Sequence, residues 1–265
     1  MTRFMFHSRG FTLTEMAVAL VIIALLLGGL LIPLSTQKNI EARRDTTRAL
    51  DNVREALLGY AMAHGRLPCP ADRSIASGAA TAGFEAYNSA TGTCLCSAAN
   101  SGIAANGGAT CDPATSVSGV LPWATLGLPE SDGWGNRYSY LVTAAYARSI
   151  GQSTVYCDAG SSAPPPTNAA FALCTSGAVR VFSAADLAVA LTTANEVPAI
   201  VVSHGDNGRG AWQSTGTQNA GAAGDELQNA DGDINFVSNA NVDDLVAWIS
   251  RPVLMNRMIS VSKLP

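Results

Sequence analysis

Apolar residues are concentrated near the start of this 265-residue chain. Residues 16–37 contain no charged side chain and consist mainly of Ala, Val, Leu and Ile. A run of this length is enough for an α-helix to cross the hydrocarbon core of a bilayer. The pattern therefore predicts that residues 11–37 form a transmembrane helix.

The helical pattern continues beyond this apolar run. Apolar and aromatic positions recur at intervals of three and four, as on one face of an α-helix, at Leu50, Val53, Leu57, Tyr60 and His64. Charged residues occupy many of the positions between them, and Gly65 followed by Pro68 provides a stop signal. We therefore predict one N-terminal helix over residues 11–65.

The remainder, residues 66–265, is expected to be a globular domain of loops and short strands. Gly, Ala, Ser and Thr dominate without a regular period up to Ser118. Strand-like runs bounded by turn residues follow at 138–143, 178–182 and 197–203. The predicted fold class is α+β, with a long N-terminal helix packed on a small antiparallel β-sheet and with long disulfide-stapled loops.

The charge balance argues against nucleic acid as a partner. The chain has 16 Lys and Arg against 20 Asp and Glu, a formal net charge of −4. A phosphate backbone is bound by clustered basic side chains, and this sequence has no such cluster.

Six cysteines follow the apolar run, namely Cys69, Cys94, Cys96, Cys111, Cys157 and Cys174. An even number beyond a membrane-targeting segment indicates an oxidising compartment and disulfide bonds, although free buried thiols are the alternative. Zinc is disfavoured because Cys94 and Cys96 lack the CxxC spacing. Residues 164–166 are prolines that stiffen the loop between Cys157 and Cys174, so a bridge that closes this hairpin is our first choice.

The residues before the apolar run set the orientation of the chain. Arg3, His7 and Arg9 are basic, so the positive-inside rule keeps the N-terminus cytoplasmic and exports the rest. A signal peptide has a shorter apolar stretch of about 7 to 15 residues, so the length favours a signal anchor. Glu15 stands directly before the apolar run, where a carboxylate costs about 2.5 to 3.5 kcal/mol unless it has a partner.

The stretch GFTLTE at residues 10–15, followed by the apolar run, resembles the cleavage and methylation motif of type IV pilins and of the pseudopilins of type II secretion. The resemblance implies that a prepilin peptidase cuts between Gly10 and Phe11, removes the leader peptide 1–10 and leaves Phe11 to be N-methylated. It also implies that Glu15 pairs in the filament with the N-terminal amine of a neighbouring subunit. The alternative is that Glu15 only lies at the level of the lipid headgroups.

Further stretches of the chain are also similar to type IV pilins and pseudopilins. Residues 119–142 resemble the pseudopilin and minor-pilin segment in which an Asp, a Trp-Gly pair and a Tyr lead into the first strand, and the matching residues are Asp132, Trp134, Gly135, Asn136 and Tyr140. We expect Trp134 and Tyr140 to be structural. The sequences SHGDNGRGAW, DELQNADGDINFV and DDLVAWISRPVLMNRM are similar to the C-terminal half of these proteins.

The resemblance implies a structural subunit, a minor pilin or pseudopilin of a type IV pilus or type II secretion-like filament, assembled through its N-terminal helix. Its expected partners are other pilin or pseudopilin subunits, the prepilin peptidase, the inner-membrane assembly platform and the membrane. The expected location is the inner membrane for the single-pass precursor and a periplasmic or cell-surface filament after assembly. The alternative is an adhesive or ligand-binding tip module on a pilin scaffold, with residues 66–118 as the binding surface.

An enzyme is a third interpretation, and the sequence offers little support for it. The motifs GxxxxGK[ST], GxSxG and HExxH do not occur. Ser203, His204 and Asp206 are close in sequence, but neighbours at a strand end point in different directions. We therefore expect no catalytic residues and interpret His204 as a turn histidine.

The acidic region near the C-terminus is the one candidate ligand site. Hard oxygen donors of the kind that calcium prefers alternate at Asn229, Asp231, Asp233 and Asn235. The candidate calcium ligands are Asp225, Asp231 and Asp233, and the resemblance to major pseudopilins, which hold calcium in a comparable loop, supports them. Phe236 and Val242 occupy the places where an EF-hand requires Gly and Glu, so simple turn formation is the alternative.

Overall fold

A computed structural model describes residues 12–95, 111–112, 116–151, 157 and 167–265, without the side chains of residues 26–35 and 111–112. The predicted cleavage residues Gly10 and Phe11 lie outside these ranges, and so does Cys96. The chain divides into two compact units, Met1–Glu41 and Ala42–Pro265.

The helix α1 (Leu13–His64) runs through 52 residues, close to the predicted range. It ends where Gly65 adopts a positive φ of 73° and donates its N–H to the carbonyl of Ala61. This is the left-handed helix end that glycine favours, because it has no Cβ to clash. The stop signal in the sequence therefore placed the end of the helix correctly.

The described part of the first unit is the N-terminal half of α1. Its apolar side chains project outward, and between half and nine-tenths of the surface of Leu13, Leu20 and Leu25 is exposed. Within the described side chains, no helix combines the length and the hydropathy needed to cross a membrane.

The second unit contains the strands and four shorter helices of the described chain. The strands are β1 (Tyr87–Asn88), β2 (Thr93–Cys94), β3 (Cys111–Asp112), β4 (Ser116–Val120), β5 (Ser139–Thr143), β6 (Arg180–Phe182), β7 (Ala199–Ser203), β8 (Asn235–Val237) and β9 (Leu245–Ile249). The helices are α2 (Trp123–Leu126), α3 (Ala144–Ala147), α4 (Asp225–Ala230) and α5 (Arg251–Ser260).

The main sheet is antiparallel and has five strands in the order β3-β4-β5-β7-β9. A second, two-stranded sheet pairs β6 with β8 in parallel. Alternate residues of the central strands point to opposite faces of the main sheet, as strand geometry requires. Tyr140 and Val142 of β5 face one apolar cluster, whereas Leu141 faces another.

The two faces of the main sheet are covered by different elements. Leu50, Val53 and Leu57 of α1 belong to the cluster on one face, together with Leu254 and Met258 of α5. On the other face, Val179, Val181 and Phe236, from the β6–β8 region, pack against Leu141, Ile200 and Val202. Central strands buried on both faces read as continuous apolar runs, which is why β7 and the later part of β5 could be recognised in the sequence.

The architecture is therefore a mixture of helices and antiparallel sheet with disulfides, as predicted. Four details differ from the prediction. The pairing of β6 with β8 is parallel, and both β4 and β9 were missed. The stretch at 119–142 does not lead into the first strand, because β4 precedes β5. His64 is exposed and stacks on Tyr60 at 4.2 Å between ring centroids instead of joining the buried face of α1.

Two disulfides lie among the described residues. Cys69 is bridged to Cys94, with their Cα atoms 5.4 Å apart, and Cys157 is bridged to Cys174, with their Cα atoms 5.1 Å apart. The second bridge is the hairpin closure chosen from the sequence. The first ties the segment that follows α1 to β2.

Candidate assembly site at the start of the first helix

The first turn of α1 holds the carboxylate of Glu15 through Thr12. The backbone N–H and the hydroxyl of Thr12 both donate to Oε2 of Glu15, each at 2.8 Å. In return the N–H of Glu15 donates to Oγ1 of Thr12 at 3.3 Å. This reciprocal arrangement is a capping box, in which a Thr before the helix and a Glu three residues later satisfy each other's free N–H groups.

The capping box was missed in the sequence, although its signal is present there. A Thr followed three residues later by Glu, just before an apolar run, is the pattern that marks such a helix start. Both hydrogen bonds that the Glu15 carboxylate accepts from described residues go to Oε2, and none goes to Oε1. The first helical turn therefore presents a carboxylate held by Thr12, with one oxygen that accepts no hydrogen bond from the described residues.

The far end of α1 is fastened by a second polar cluster that sequence reasoning also missed. Arg66 donates to both carboxylate oxygens of Glu85, at 2.7 and 2.8 Å, and its guanidinium lies 4.1 Å from the ring centroid of Tyr87. Tyr60 and the N–H of Cys69 donate to the same carboxylate. Burial is the largest single influence on Glu85 and raises its pKa, but the hydrogen bonds and charge of Arg66, together with the hydrogen bonds from Tyr60 and Cys69, outweigh it and lower the pKa of Glu85. An ion pair with several hydrogen bonds in this position fixes the segment after the helix.

The three candidate calcium ligands do not converge. Asp225 accepts hydrogen bonds from the N–H of Ala185 and from the side chain of Asn239. Asp233 accepts from the N–H of Asn235. Within the residues that the structure describes, no group of three His, Cys, Asp or Glu side chains is arranged to hold a metal ion. Calcium binding by this loop stays a prediction.

Two aspartates of this region carry carboxylate oxygens without a partner. Oδ2 of Asp231 and Oδ1 of Asp244 are buried and make no hydrogen bond with any residue that the structure describes. Burial raises the pKa of Asp231 to about 6 and that of Asp244 to about 7, although a hydrogen bond from Asn229 opposes the shift at Asp244. An unpaired buried carboxylate favours the protonated form, because the charged form loses its hydration.

His204 lies at the start of the turn that follows β7, where its carbonyl accepts from the N–H of Gly208, and its side chain is fully buried. Its Nε2 shares a hydrogen bond of 2.8 Å with Oγ of Ser139, and its Nδ1 has no partner. Burial lowers the pKa of His204 to about 4. The adjacent Ser203 donates to Asp132 at 2.6 Å, so these two neighbours have different partners, as the strand geometry predicted.

Asp132 organises the turn before β5. Its Oδ1 accepts hydrogen bonds from the N–H groups of Trp134 and Asn136, at 3.0 and 2.9 Å. The side chain thereby closes a turn through its own backbone, which is a structural role. Tyr140 is buried and donates to the carbonyl of Pro68, and so it is structural too.

The family model for the prokaryotic N-terminal methylation motif matches residues 5–31. The chain thus carries the signature of type IV pilins and pseudopilins, which are structural subunits of filaments. The match includes the predicted cleavage residues Gly10 and Phe11 and the capping box of Thr12 and Glu15. No curated protein and no solved structure matches the chain.

Proposed function

We propose that this protein is a filament subunit, a minor pilin or pseudopilin, that is made as a single-pass precursor in the inner membrane. Prepilin peptidase removes residues 1–10, and Phe11 becomes the N-methylated N-terminus. The inner-membrane assembly platform then extracts the subunit and adds it to the filament through the first half of α1. The observation that carries this proposal is the match of residues 5–31 to the methylation motif.

The geometry of the first turn supports a specific docking step. Thr12 holds Oε2 of Glu15, so the carboxylate is fixed before any neighbour arrives. The free oxygen, Oε1, is the acceptor for the cationic amine of Phe11 in the adjacent subunit. Docking then offsets the cost of burying both charges, and breaking such a buried pair costs about 3 to 5 kcal/mol. The same pairing sets the axial register between subunits.

The exposed side chains around this turn supply the rest of the contact. Leu13, Val18 and Leu20 are at least half exposed, and apolar surface of this kind is normally buried against lipid or protein. Packing of such helices against one another in the filament core removes this surface from water and lipid. The helix is therefore suited to exchange a membrane environment for a filament environment.

A minor subunit fits the globular unit better than a major one does. The chain has 265 residues, and long loops stapled by disulfides add to the scaffold. Such loops suit a subunit of low copy number at or near the tip. An adhesive role for residues 66–118 stays a prediction, since residues 96–110 and 113–115 are outside the described ranges.

Mass spectrometry of the mature N-terminus tests the proposal directly. We expect a mature chain that begins with N-methylated Phe11. A chain that retains residue 1, or that begins after the apolar run as a secreted protein would, contradicts the proposal.

A further inference from the structure

The bridge between Cys69 and Cys94 is a choice between two closely spaced cysteines. Cys94 and Cys96 are only two residues apart, so they lie at nearly the same distance along the chain from Cys69. The entropy of loop closure changes little between loops of such similar length, and it does not separate the two partners. A feature of the fold other than loop length must therefore select Cys94.

Cys69 is held through its backbone by the ion pair of Arg66 and Glu85. Arg66 donates to both carboxylate oxygens of Glu85, at 2.7 and 2.8 Å, and the N–H of Cys69 donates to Oε2 of the same carboxylate at 3.0 Å. The side chains of Arg66 and Glu85 are only 10% and 17% exposed. Bidentate, charge-assisted hydrogen bonds that are largely shielded from water thus hold Cys69 in one position.

The same ion pair also contacts the strand that faces Cys94. Tyr87 of β1 and Cys94 of β2 are directly opposite each other in an antiparallel pair. The guanidinium of Arg66 lies 4.1 Å from the ring centroid of Tyr87, which is a cation–π contact. One guanidinium therefore contacts both the carboxylate that holds Cys69 and the residue opposite Cys94, and it fixes the two cysteines relative to each other.

None of these contacts requires the disulfide. The hydrogen-bonding groups are the guanidinium and the carboxylate of the ion pair, the hydroxyl of Tyr60 and the backbone N–H of Cys69. No sulfur atom takes part in them, so the ion pair can form while both cysteines are still thiols. An arrangement that precedes the bridge raises the effective concentration of one thiol at the other.

We propose that the Arg66–Glu85 ion pair is a template for oxidation, which places Cys69 against Cys94 and excludes Cys96 as its partner. The thiolate of Cys69 attacks a small disulfide such as oxidised glutathione, and one glutathione thiol leaves. The thiolate of Cys94 then attacks the sulfur of Cys69, so the second glutathione thiol leaves and the bridge forms. Two protein thiols are oxidised as one disulfide is reduced. The template is independent of the proposed filament function, because it requires only an oxidising compartment.

Equilibrium with glutathione, measured on the full-length protein in detergent, tests the template. The ratio of oxidised to reduced protein at each bridge gives the effective concentration of its two thiols. Glu85→Gln keeps the shape of the side chain and removes the ion pair, so it should lower the effective concentration for Cys69 and Cys94 at least about tenfold. The bridge of Cys157 and Cys174 is the internal control and should change less than about twofold.

A variant in another part of the core separates the template from general stability. Ile200 belongs to the cluster on the opposite face of the sheet, whose described residues include no cysteine. Ile200→Val weakens packing there and should leave the ratio of the two effective concentrations within about twofold of the wild type. The proposal is overturned if Glu85→Gln also leaves this ratio unchanged, since the ion pair then acts on stability alone or not at all.

Oxidation of the reduced, denatured chain on transfer to refolding conditions tests the selection of Cys94. Peptide mapping of the first bridged species should show Cys69–Cys94 in at least about tenfold excess over Cys69–Cys96 in the wild type. The two bridges should form in nearly equal amounts in Glu85→Gln. A wild-type mixture without the excess contradicts the template, and so does an excess that Glu85→Gln retains.

Hydrogen exchange shows whether the ion pair forms without the bridge, even where Glu85→Gln does not fold. In a chain that carries both Cys69→Ala and Cys94→Ala, the N–H of residue 69 should stay protected at least about a hundredfold, because its acceptor is Glu85 and not a sulfur atom. Loss of this protection would overturn the proposal, whether the amides of β7 remain protected or not, since the ion pair would then depend on the bridge.

Discussion

The two compact units differ in how far their apolar side chains are exposed. In the described part of residues 1–41, Leu13, Leu20 and Leu25 are exposed along a single helix. In residues 42–265, Leu57 and Leu141 are buried within clusters that the unit supplies from its own elements. The described part of the first unit therefore leaves its apolar side chains uncovered, as the proposed exchange between lipid and filament requires, whereas the second unit has a buried core of its own.

The two units also differ in their similarity to known proteins. The methylation motif covers residues 5–31, entirely within the first unit, and no curated protein or solved structure matches the chain as a whole. Under the proposed function, the first unit has to fit a peptidase and packed neighbouring helices, and this requirement restricts the residue at each position. A domain that only has to bury its own core can reach that end with many sequences.

The largest expected effect is on proteolytic cleavage at the start of the first unit. Gly10→Val should leave an uncut precursor in the inner membrane, because the peptidase requires a small residue before the cut. Gly10→Ala is the control and should be processed. Immunoblotting of membrane fractions measures the size of the protein, and a Gly10→Val chain of mature size would contradict the processing that we propose.

Glu15→Ala should separate insertion from assembly. Insertion and cleavage should survive, because removal of a charge only eases burial of the helix. Incorporation should fall by about a hundredfold or more, since the amine of the neighbouring Phe11 loses its partner at a cost of about 3 to 5 kcal/mol.

The ratio of variant to wild-type subunits in purified filaments measures this effect. Glu15→Gln is the graded control and should be intermediate, since it keeps an acceptor but not the charge. A wild-type ratio for Glu15→Ala would show that the pairing role is wrong and that Glu15 only lies at the membrane interface.

Some features of the structure could be predicted from the sequence alone, and others could not. The helix bounds, the strands buried on both faces and the methylation motif could all be predicted, because each depends on a local pattern. The parallel pairing of β6 with β8 could not, because it joins residues 180–182 to residues 235–237. Among the described residues, the position of β9 at the edge of the sheet and the burial of Asp244 also depend on contacts between distant segments, and no local pattern records those contacts.

The site residues divide in the same way. Glu15 and Gly10 were found because they belong to a short contiguous motif. Glu85 was missed because its partner, Arg66, is 19 residues away and the pair lies in a segment without periodicity. His204 was interpreted as a turn histidine. It does begin the turn after β7, but its side chain is fully buried and bonded to Ser139 of β5, which is distant in sequence.

A matched pair of leucine variants measures the contrast in burial. Leu57 is fully buried and Leu20 is 61% exposed in the unassembled chain. Leu57→Ala should lower the free energy of unfolding of the globular unit by about 2 to 5 kcal/mol, through lost packing and the cavity left behind. Leu20→Ala should leave it unchanged.

Thermal unfolding of the two variants in detergent makes the comparison under one condition. Equal melting temperatures would contradict the division into an uncovered helix and a self-sufficient core. A loss of stability for Leu20→Ala alone would show the opposite, namely that the folded state depends on Leu20 and not on Leu57.

The smallest expected effect concerns a carboxylate that the globular unit buries without help from another chain. Burial raises the pKa of Asp231 from its ordinary 3.8 to about 6. The folded state therefore holds this proton more tightly than the unfolded state does. The resulting stability is fully present below pH 3.8 and is lost as the pH rises through 6. Asp231→Asn removes this dependence and keeps an oxygen for the N–H of Asp233.

Asp231→Asn should therefore be more stable than the wild type at pH 8, and this advantage should disappear at pH 4. The full shift corresponds to about 3 kcal/mol, and we expect about 1, because solvent screens a carboxylate so close to the surface. The difference between variant and wild type is the quantity to measure. His204, with its lowered pKa, favours the folded state at higher pH in both proteins, so its contribution cancels in the difference. Denaturant unfolding at the two pH values, each with calcium and with a chelator, gives that difference.

An advantage that is equal at both pH values would contradict a buried, unpaired Asp231. An advantage at pH 8 that calcium reverses would instead show that the carboxylate is a calcium ligand, and that this carboxylate, like Glu15, relies on a partner from outside the chain.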